Sequence, residues 1–287
     1  MPEPTRTLVR IGDRELSLSN LSKPLYPGGF TKGQVIDYYT RISPHILPHL
    51  RGRNLTMVRF PNGVNGQSFF AKNVPAGAPT WVQRVPLKDN VYPVIDDLAA
   101  LVWTANLAGI ELHVPLHRAA ADSWTPDRIV FDLDPGPGCG VCECAQVALL
   151  IHSVLDPLGM AMVAKTSGSK GMQLYARPVE GTSYDGPSGT NAFAKAVAEG
   201  LERTHPERVV SKQAKELRPG KILIDWSQNV RAKTTVCAYS LRARKEPTVS
   251  TPLLWSEVEE CAAGTEMRFT SDEVLDRVAR LGDLFAW

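Results

Sequence analysis

Short apolar runs recur along the chain and are separated by longer amphipathic stretches, without a strict alternation of the two. Runs of about four to eight residues rich in Val, Ile and Leu predict β-strands, and longer stretches with helical periodicity predict α-helices. This order favours a mixed α/β fold with an antiparallel or mixed sheet over a doubly wound parallel sheet. The predicted strands are LTMVRF (55–60), IVFDLD (129–134), MAMVAKTS (160–167), MQLYARP (172–178) and KILIDWS (221–227). The predicted helices are residues 33–50, 143–159, 190–206 and 271–285.

Residues typical of helix ends flank three of these helices. Thr31 is expected to be the N-cap of the first helix, whose end carries proline breaks. Gly159 is expected to end the second helix. Ser271 is expected to be the N-cap of the last helix, where an acidic first turn complements the helix dipole.

The composition is that of a globular protein that can bury a sizeable core. Hydrophobic residues make up 43% of the 287 residues and charged residues 22%. No stretch approaches the roughly 18 uninterrupted apolar residues of a membrane span, and the N-terminus lacks the apolar core of a signal peptide. Five cysteines, an odd number, argue against a disulfide scaffold. We therefore expect one compact domain over residues 1–287, with room for two lobes, in a cytoplasmic protein without a membrane partner.

The net charge of +2 hides an uneven distribution. Basic residues outnumber acidic ones in residues 1–100 and 201–250, and acidic residues prevail in 101–200 and 251–287. Basic segments beside an acidic centre suit a surface that follows phosphates next to a carboxylate cluster that binds metal. Charges solvated on unrelated faces explain the same distribution equally well.

Three aspartates predict a metal centre. Asp132 and Asp134 are two residues apart on a predicted strand, so their side chains point to the same face. Two carboxylates this close raise each other's pKa unless a cation lies between them, and Mg²⁺ and Mn²⁺ prefer such oxygen ligands. Asp225 ends another apolar strand and can complete a site for two metal ions.

The segment KTSGSKGMQLY (165–175) places small residues and a lysine between two predicted strands. Backbone N–H groups, hydroxyls and an ammonium group in such a loop can bind a triphosphate. The spacing is not that of a P-loop, and a β-hairpin turn with an exposed lysine is the alternative interpretation. The candidate triphosphate ligands in this loop are Ser167, Gly168, Ser169, Lys170 and Gly171.

Basic residues lie both before and after Asp225 in the sequence. We expect some of them to bind the triphosphate, with arginine donating from both of its guanidinium nitrogens. The candidates are Arg218, Lys221, Lys233, Arg242 and Arg244.

Aromatic and soft side chains suggest further contacts, each with a structural alternative. Phe69 and Phe70 precede Lys72, and one ring of the pair must face away from the core, where it can stack on a base. Packing at a sheet edge is the alternative. His113 can contact the phosphate or sugar of a nucleotide, or it is a structural histidine. Three cysteines in CGVCEC (139–144) suggest zinc, but no fourth ligand lies nearby in the sequence.

Taken together, these segments resemble the polymerase domain of bacterial ligase D, a member of the archaeo-eukaryotic primase superfamily. The resemblance spans nearly the whole chain in the expected order. The matching stretches are LSNLSKPLYP (18–27), RFPNGV (59–64), SFFAK (68–72), ELHVP (111–115), VFDLDPG (130–136), TSGSKG (166–171), ILIDWSQN (222–229) and KTTVCAYSLRAR (233–244).

The resemblance implies an archaeo-eukaryotic primase fold whose catalytic sheet is similar to that of an RNA-recognition motif. It also implies template-directed addition of nucleotides, commonly ribonucleotides with Mn²⁺, in gap filling and non-homologous end joining. By the same resemblance, the metal ligands are Asp132, Asp134 and Asp225. The residues that contact the incoming nucleotide are His113, Ser167, Lys170, Arg218 and Gln228, with Arg242 or Arg244. Gln173, next to this loop, is a further candidate for contact with the nucleotide. The residues that bind the 5′-phosphate of the downstream strand are Asn20, Lys23 and Lys32, and Phe69 and Phe70 stack at the template bend.

The chain departs from the pattern of that family at two places. Gln173 stands where the family usually has histidine. Glutamine donates a hydrogen bond but carries no charge. We therefore expect triphosphate binding or the metal preference to differ from those of the family. The cluster Cys139, Cys142 and Cys144 is also unusual. The sequence contains no ligase or phosphoesterase domain, so we expect the polymerase to work with a separate DNA ligase and an end-binding protein at the nucleoid.

Two other classes of function are consistent with parts of the sequence. FDLDPG superficially resembles the D-x-D-x-[TV] motif of haloacid-dehalogenase phosphatases, but Gly136 replaces the Thr or Val of that motif. A non-catalytic protein that binds DNA ends would keep the lysines that bind phosphate. The complete set of three aspartates argues against that interpretation.

Overall fold

The structure, a computed structural model, describes residues 6–119 and 125–286. The strands are β1 (Arg6–Ile11), β2 (Arg14–Ser19), β3 (Thr56–Arg59), β4 (Phe69–Ala71), β5 (Gln83–Leu87), β6 (Asn90–Val94), β7 (Gly109–Val114), β8 (Ile129–Pro135), β9 (Met162–Thr166), β10 (Met172–Ala176), β11 (Val209–Val210), β12 (Ile222–Asp225), β13 (Thr235–Val236) and β14 (Pro252–Leu253). The α-helices are α1 (Lys32–Leu50), α2 (Leu98–Asn106), α3 (Val141–Leu155), α4 (Thr190–Thr204), α5 (Trp255–Ala262) and α6 (Ser271–Leu281). Short 3₁₀ helices cover Asp156–Leu158, Lys215–Leu217 and Trp226–Gln228.

The chain divides into two compact units. Unit 1 comprises Met1–Val114, Val236–Val249 and Thr270–Gly282. Unit 2 comprises Pro115–Thr235, Ser250–Phe269 and Asp283–Trp287.

Unit 1 is built around a sheet in the order β13–β7–β3–β4, with antiparallel pairing of β3 to both β7 and β4. Helix α1 packs against α2 and α6. Two separate hairpins, β1–β2 and β5–β6, belong to the same unit. Buried tyrosines fix the helix to the sheet, since Tyr39 donates to the carbonyl of Ile110 on β7 over 2.6 Å.

Unit 2 is built on a sheet in the order β11–β12–β8–β10–β9–β14, antiparallel except for the pair β11–β12. Alternate residues of these strands point to opposite faces. On one face Phe131, Leu133, Leu174 and Ile224 pack in an apolar core with helices α3, α4 and α5. The side chains between these positions form the other face, which carries the polar residues of interest.

The predicted elements agree with the structure in kind. Each predicted strand and helix is present, and the fold is mixed α/β as expected. The hairpins β1–β2 and β5–β6 and the helices α2 and α5 were not predicted, because they are short or lack end signals in the sequence.

Several predicted helix ends are corrected by the structure. Helix α3 ends at Leu155, and a 3₁₀ turn leads from there to Gly159, while α6 ends at Leu281 and not at residue 285. Thr31 is the N-cap of α1, as predicted, and forms a capping box with Gln34. The expected proline breaks do not end α1, which runs through Pro44 and Pro48 to Leu50. Tertiary packing of its apolar face outweighs the two backbone hydrogen bonds that the prolines cannot donate. Thr270, and not Ser271, is the N-cap of α6.

The stretch Val141–Leu158 satisfies the length and composition of a membrane-crossing helix, with a mean hydropathy of 1.4. This is weak evidence, since core helices satisfy the same criteria. In unit 2 one side of the stretch packs into the core through Cys144, Ala148, Ile151 and Leu155. The stretch therefore serves as the helical layer over the sheet.

Candidate active site

Four polar side chains lie in register across the face of the unit 2 sheet that is opposite the helices. Asp225 on β12 pairs with Asp132 on β8, Asp132 pairs with Gln173 on β10, and Gln173 pairs with Lys165 on β9. Residues directly opposite each other in an antiparallel pair have Cβ atoms about 4.5–5.5 Å apart. Asp134 points to the same face two residues further along β8. The sheet thus brings the three predicted aspartates together.

The charges of the three carboxylates act on each other. Desolvation, followed by the charge of Asp134, raises the pKa of Asp132 to about 7. Desolvation and the charge of Asp225 also raise the pKa of Asp134, and the nearby guanidinium of Arg218 opposes this rise. The raised pKa values of Asp132 and Asp134 reflect burial first and then repulsion between neighbouring carboxylates.

Both oxygens of Asp225 accept hydrogen bonds from the 3₁₀ turn that follows it. The backbone N–H and the hydroxyl of Ser227 donate to Oδ1, and Nε2 of Gln228 donates to Oδ2 over 3.0 Å. Lys233 in turn donates to the hydroxyl of Ser227 over 2.6 Å. Gln228, predicted to contact the nucleotide, thus lies directly against a predicted metal ligand.

The donor chemistry of this cluster fits a divalent cation. Carboxylate oxygens with unneutralised charge are the ligands that Mg²⁺ and Mn²⁺ prefer. Within residues 6–119 and 125–286, however, no three His, Cys, Asp or Glu side chains are close enough to hold a metal ion together. Ligation by all three aspartates therefore requires their carboxylates to move closer than they lie here.

Gln173 joins this cluster to a buried lysine. Its Oε1 accepts hydrogen bonds from Nζ of Lys165 over 2.6 Å and from the hydroxyl of Tyr175 over 3.1 Å. Its Nε2 donates to Oδ1 of Asp132 over 3.1 Å. Because both oxygen contacts are with donors, the orientation of the amide is determined. Gln173, predicted to bind the nucleotide, contacts Asp132 in this structure, and Lys165 was not predicted.

The loop between β9 and β10 is a hairpin turn packed against β8. Gly171 allows this approach, since a Cβ atom there would lie 2.2 Å from the carbonyl oxygen of Leu133. The N–H groups of Ser169 and Gly171 donate to Oγ of Ser167 over 3.2 and 3.1 Å. The structure thus differs from the expectation that these N–H groups are open to a triphosphate. Lys170 is exposed at the tip, and Gly168 has a positive φ of 67°.

Arg218 lies beside the turn that follows β8. The N–H of Gly136 donates to the carbonyl of Lys221 over 2.9 Å, and a Cβ atom at Gly136 would lie 1.9 Å from the carbonyl oxygen of Arg218. The guanidinium of Arg218 donates to Gln213 and acts on the charge of Asp134. Because Gly136 has no side chain, the backbone of Arg218 can pack closely against the turn that follows Asp134.

In unit 1, His113 and Arg242 are joined by a residue that was not predicted. Glu111 contacts Nε2 of His113 with Oε2 over 3.0 Å, and its Oε1 accepts from Nε of Arg242 over 3.1 Å. The backbone N–H of Ala243 also donates to Oε1 over 3.0 Å. Arg244, the other candidate arginine, is exposed.

Unit 1 also carries a group of basic residues around the start of α1. Lys32 is buried and donates to the carbonyl and hydroxyl of Ser19 over 2.7 and 3.1 Å. Burial, then the charges of Lys23 and Arg59, lowers the pKa of Lys32 to about 8. Lys23 donates to the carbonyl of Pro61 over 2.6 Å. Asn20 adopts a positive φ of 54° in the turn before Lys23. The predicted phosphate ligands are thus held near one another.

The predicted stacking pair lies on the edge strand β4. Phe69 is 45% exposed and Phe70 is 66% exposed, so both rings reach the surface of the unit, whereas the sequence required only one to do so. The guanidinium of Arg59 lies 5.1 Å from the ring centre of Phe69. Lys72 is exposed beyond the strand.

The cysteines of CGVCEC do not form a metal site with one another in the described residues. Cys144 is buried and its Sγ contacts the carbonyl of Leu133 over 3.5 Å. Burial, then the neighbouring Cys142, raises the pKa of Cys261 to about 12. Cys142 and Cys261 lie where α3 approaches α5 and the residues after it, whereas Cys144 packs against β8.

Comparison with known proteins supplies the family. The family model described as "LigD, primase-polymerase domain" matches residues 31–285. The multifunctional non-homologous end joining DNA repair protein LigD of Mycobacterium tuberculosis is 39% identical over 284 residues, which cover 95% of this chain and 37% of that protein. The bifunctional non-homologous end joining protein LigD of Bacillus subtilis is 34% identical over 252 residues, covering 88% of this chain and 40% of that protein.

A solved structure shows the same fold. The polymerase domain from Mycobacterium tuberculosis ligase D in complex with DNA matches with a TM-score of 0.87 and 40% sequence identity, covering 94% of this chain and 96% of that one. This chain spans less than half the length of the LigD proteins that it matches. The chain belongs to the LigD primase-polymerase family and is a nucleotidyltransferase of the polymerase type with the archaeo-eukaryotic primase fold.

Proposed function

We propose that this chain extends a DNA strand by template-directed addition of nucleotides, with a preference for ribonucleotides, and so fills short gaps during the end joining of broken DNA. The observation that carries the proposal is the register of the unit 2 sheet. It sets Asp132 directly opposite Asp225 and places Asp134 on the same face. The family membership of the chain supports the same conclusion.

Asp132, Asp134 and Asp225 are assigned to two divalent cations, Mn²⁺ or Mg²⁺. Bound cations of this kind lower the pKa of an attacking 3′-hydroxyl and neutralise charge on the leaving pyrophosphate. The protein itself orients the carboxylates, since Gln173 donates to Asp132 and Ser227 and Gln228 donate to Asp225.

The incoming nucleoside triphosphate, either NTP or dNTP, is assigned to polar and basic side chains and to the loop between β9 and β10. Arg218 supports this assignment, since its positive charge already acts on Asp134. The loop backbone binds phosphate once Ser169 and Gly171 exchange their hydrogen bonds with Ser167 for phosphate oxygens. The assigned residues are His113, Ser167, Gly168, Ser169, Lys170, Gly171, Gln173, Arg218, Gln228, Arg242 and Arg244.

The DNA substrate is assigned to unit 1. Lys23 and Lys32, with Asn20, bind the 5′-phosphate of the downstream strand. The pKa of Lys32 is lowered by burial and then by the positive charges of Lys23 and Arg59, and a bound phosphate would neutralise these charges. Phe69 and Phe70 stack on bases, and the exposed Lys72 contacts the backbone. A filled gap retains a nick, so we assign as partners a DNA ligase and a protein that holds DNA ends, in the cytoplasm at the nucleoid.

A primer-extension assay tests this function. The substrate is a gapped duplex with a 5′-phosphate, incubated with nucleoside triphosphates and Mn²⁺, and each template base is varied in turn. We expect the wild-type protein to insert the complementary nucleotide and Asp132→Ala and Asp134→Ala to insert none. Asp185→Ala, which removes an exposed aspartate of unit 2, serves as the control and is expected to retain activity.

The same assay separates the alternatives. Binding of the gapped duplex without extension at any Mn²⁺ or Mg²⁺ concentration would support a protein that only binds DNA ends. Release of phosphate from small phosphate esters, without extension, would support a phosphatase. Insertion that does not follow the template base would contradict the proposed function.

A further inference from the structure

Glu111 lies at the centre of a buried ionic cluster in unit 1 that also contains His113 and Arg242. The side chain of Glu111 is only 9% exposed, and those of His113 and Arg242 are 15% and 12% exposed. Burying a carboxylate costs several kcal/mol unless charged partners and hydrogen bonds compensate it, so such a cluster is rarely accidental. Here the compensation is complete, with Oε1 and Oε2 each engaged.

The two oxygens of Glu111 act on two different parts of the chain. Glu111 and His113 are two residues apart on β7, so their side chains share a face of the strand. Arg242 belongs to the segment after β13, where Tyr26 donates to its carbonyl over 3.0 Å and its N–H donates to the carbonyl of Thr248 over 2.8 Å. Glu111 therefore links His113 on β7 to Arg242 in the loop, whose backbone is fixed by these two hydrogen bonds.

The ionisation of Glu111 defines which atom of His113 carries a proton. Burial alone raises the pKa of Glu111, but hydrogen bonds from His113 and Ala243 and the charge of Arg242 outweigh it and lower the pKa to about 2. An ionised carboxylate only accepts hydrogen bonds. Nε2 of His113 must therefore carry the proton that lies between it and Oε2, and Nδ1 lies on the opposite side of the ring.

We infer that Glu111 is a positioning residue for nucleotide binding, whose carboxylate orients the imidazole of His113 with one oxygen and the guanidinium of Arg242 with the other. This inference rests on the proposed function, which assigns both residues to the incoming nucleotide. Glu111 acts through these side chains and does not itself contact the substrate.

The variant Glu111→Gln tests the inference. Glutamine offers one acceptor oxygen and one N–H₂ group, which cannot satisfy the three N–H donors that now surround the carboxylate. We expect the KM for the incoming nucleotide to rise about 10- to 100-fold, on the scale of lost charged hydrogen bonds, with a smaller fall in kcat. The Kd for gapped DNA, measured without nucleotide, is expected to stay within about twofold, since Glu111 does not reach the proposed phosphate ligands. Glu207→Gln, which removes an exposed carboxylate paired with Arg208, is the matched control.

A mutant cycle asks whether Glu111 acts through its two partners. In a protein that already carries His113→Ala and Arg242→Ala, Glu111→Gln is expected to change the KM by less than about twofold, because the groups that it orients are gone. If Glu111→Gln raised the KM in this doubly substituted protein by the same factor as in the wild-type protein, the inference would be overturned. So would an unchanged KM for Glu111→Gln in an otherwise wild-type protein.

Nuclear magnetic resonance of ¹⁵N-labelled histidine tests the inference on the wild-type protein, without the Glu111→Gln variant. In the wild-type protein, Nε2 of His113 is expected to carry a proton throughout the neutral pH range. The ¹⁵N signals of His113 are identified as those that disappear from the spectrum of the His113→Ala variant. A His113 ring protonated only on Nδ1 would overturn the inference. If the wild-type protein extends no primer, the proposed function fails and the role in nucleotide binding fails with it. If it extends a primer and Glu111→Gln is unchanged, only the inference fails.

Discussion

The hydrogen bonds around Gln173 are the most constrained feature of the site at the level of single residues. Lys165 is fully buried, and its ammonium contacts the amide of Gln173 and the hydroxyl of Ser250, both over 2.6 Å. A buried ammonium needs such acceptors, and here it also opposes the negative charge of Asp132. Gln173 thus holds a cation on one side and a proposed metal ligand on the other.

Gln173→Met removes both contacts while keeping the length of the side chain. We expect the free energy of unfolding to fall by about 2–3 kcal/mol, since a buried charge loses an acceptor, and the Mn²⁺ concentration for half-maximal activity to rise because Asp132 is no longer oriented. Urea unfolding and a metal titration of the extension rate measure the two effects. The matched control is Gln146→Met, which removes only a neutral hydrogen bond to Ala262. Equal effects of the two variants would contradict the account.

The proposed role of Lys32 predicts that recognition of a 5′-phosphate depends on pH. Its pKa is lowered to about 8, so the ammonium is charged below that pH and becomes neutral as the pH rises through it. We expect the ratio of affinities for gaps with a 5′-phosphate and a 5′-hydroxyl to fall as the pH rises from about 7 to about 9. Fluorescence anisotropy with labelled gapped duplexes measures this ratio.

Lys23→Met provides the control for that pH dependence. The charge of Lys23 is one cause of the lowered pKa of Lys32. Its removal is therefore expected to shift the midpoint of the pH dependence upward, although overall affinity falls. A midpoint that stays the same, or a ratio independent of pH in the wild-type protein, would exclude Lys32 as the group that titrates.

Some of the site residues could be predicted from the sequence and others could not, for a physical reason. Asp132 and Asp134 are two residues apart on one strand, so the sequence alone shows that they share a face. Lys165, Glu111 and Asn229 depend on the pairing of distant segments. Asn229, for instance, binds both the N–H and the carbonyl of Val130 beyond the end of β12. No local pattern of residues predicts such a contact.

At the level of elements, the turn after β8 determines how closely Arg218 approaches the aspartates. A Cβ atom at Gly136 would lie 1.9 Å from the carbonyl oxygen of Arg218, a backbone atom that cannot move without moving its segment. We expect Gly136→Ala to lower the free energy of unfolding by about 1–3 kcal/mol. We also expect it to weaken nucleotide binding. Chemical denaturation and the KM for nucleotide measure the two losses.

Gly28→Ala is the matched control for that substitution. A Cβ atom at Gly28 meets nothing within 4 Å, so this variant is expected to change stability by no more than about 0.5 kcal/mol. A Gly136→Ala protein as stable and active as Gly28→Ala would show that the close approach at Gly136 is unimportant.

The edge strand β4 exposes an aromatic ring that the fold does not need. Phe70 is 66% exposed, so Phe70→Ala is expected to leave stability almost unchanged. If the ring stacks on a template base, affinity for gapped DNA falls by about 1–3 kcal/mol. Anisotropy measures the affinity and thermal unfolding measures the stability. Leu8→Ala, at a residue of similar exposure on β1, is the control, and an equal loss of affinity in both variants would argue against stacking.

The elements themselves were more predictable than their ends. Strong periodicity predicts α1, α3, α4 and α6, but α1 continues through two prolines because its apolar face packs against α2 and α6. The hairpin β5–β6 carries no turn signal strong enough to predict it from QRVPLKDNVYPV. Tertiary packing, which the local sequence does not encode, decides both cases.

For the whole molecule, the uneven charge distribution corresponds to the assigned roles of the two units. Unit 1 contains the basic group of Lys23, Lys32 and Arg59, and unit 2 contains the three aspartates. Because the proposed metal ligands come from β8 and β12, which are distant in the sequence, only the folded sheet can place them on one face.

The central claim is that these three carboxylates carry nucleotidyl transfer together, and Asp225→Asn tests it most directly. Asparagine has the shape of aspartate but no charge, so folding and DNA binding are expected to persist. Single-turnover insertion on a gapped duplex at saturating Mn²⁺ is expected to slow by about a thousandfold or more. Insertion at the wild-type rate by Asp225→Asn would contradict the account.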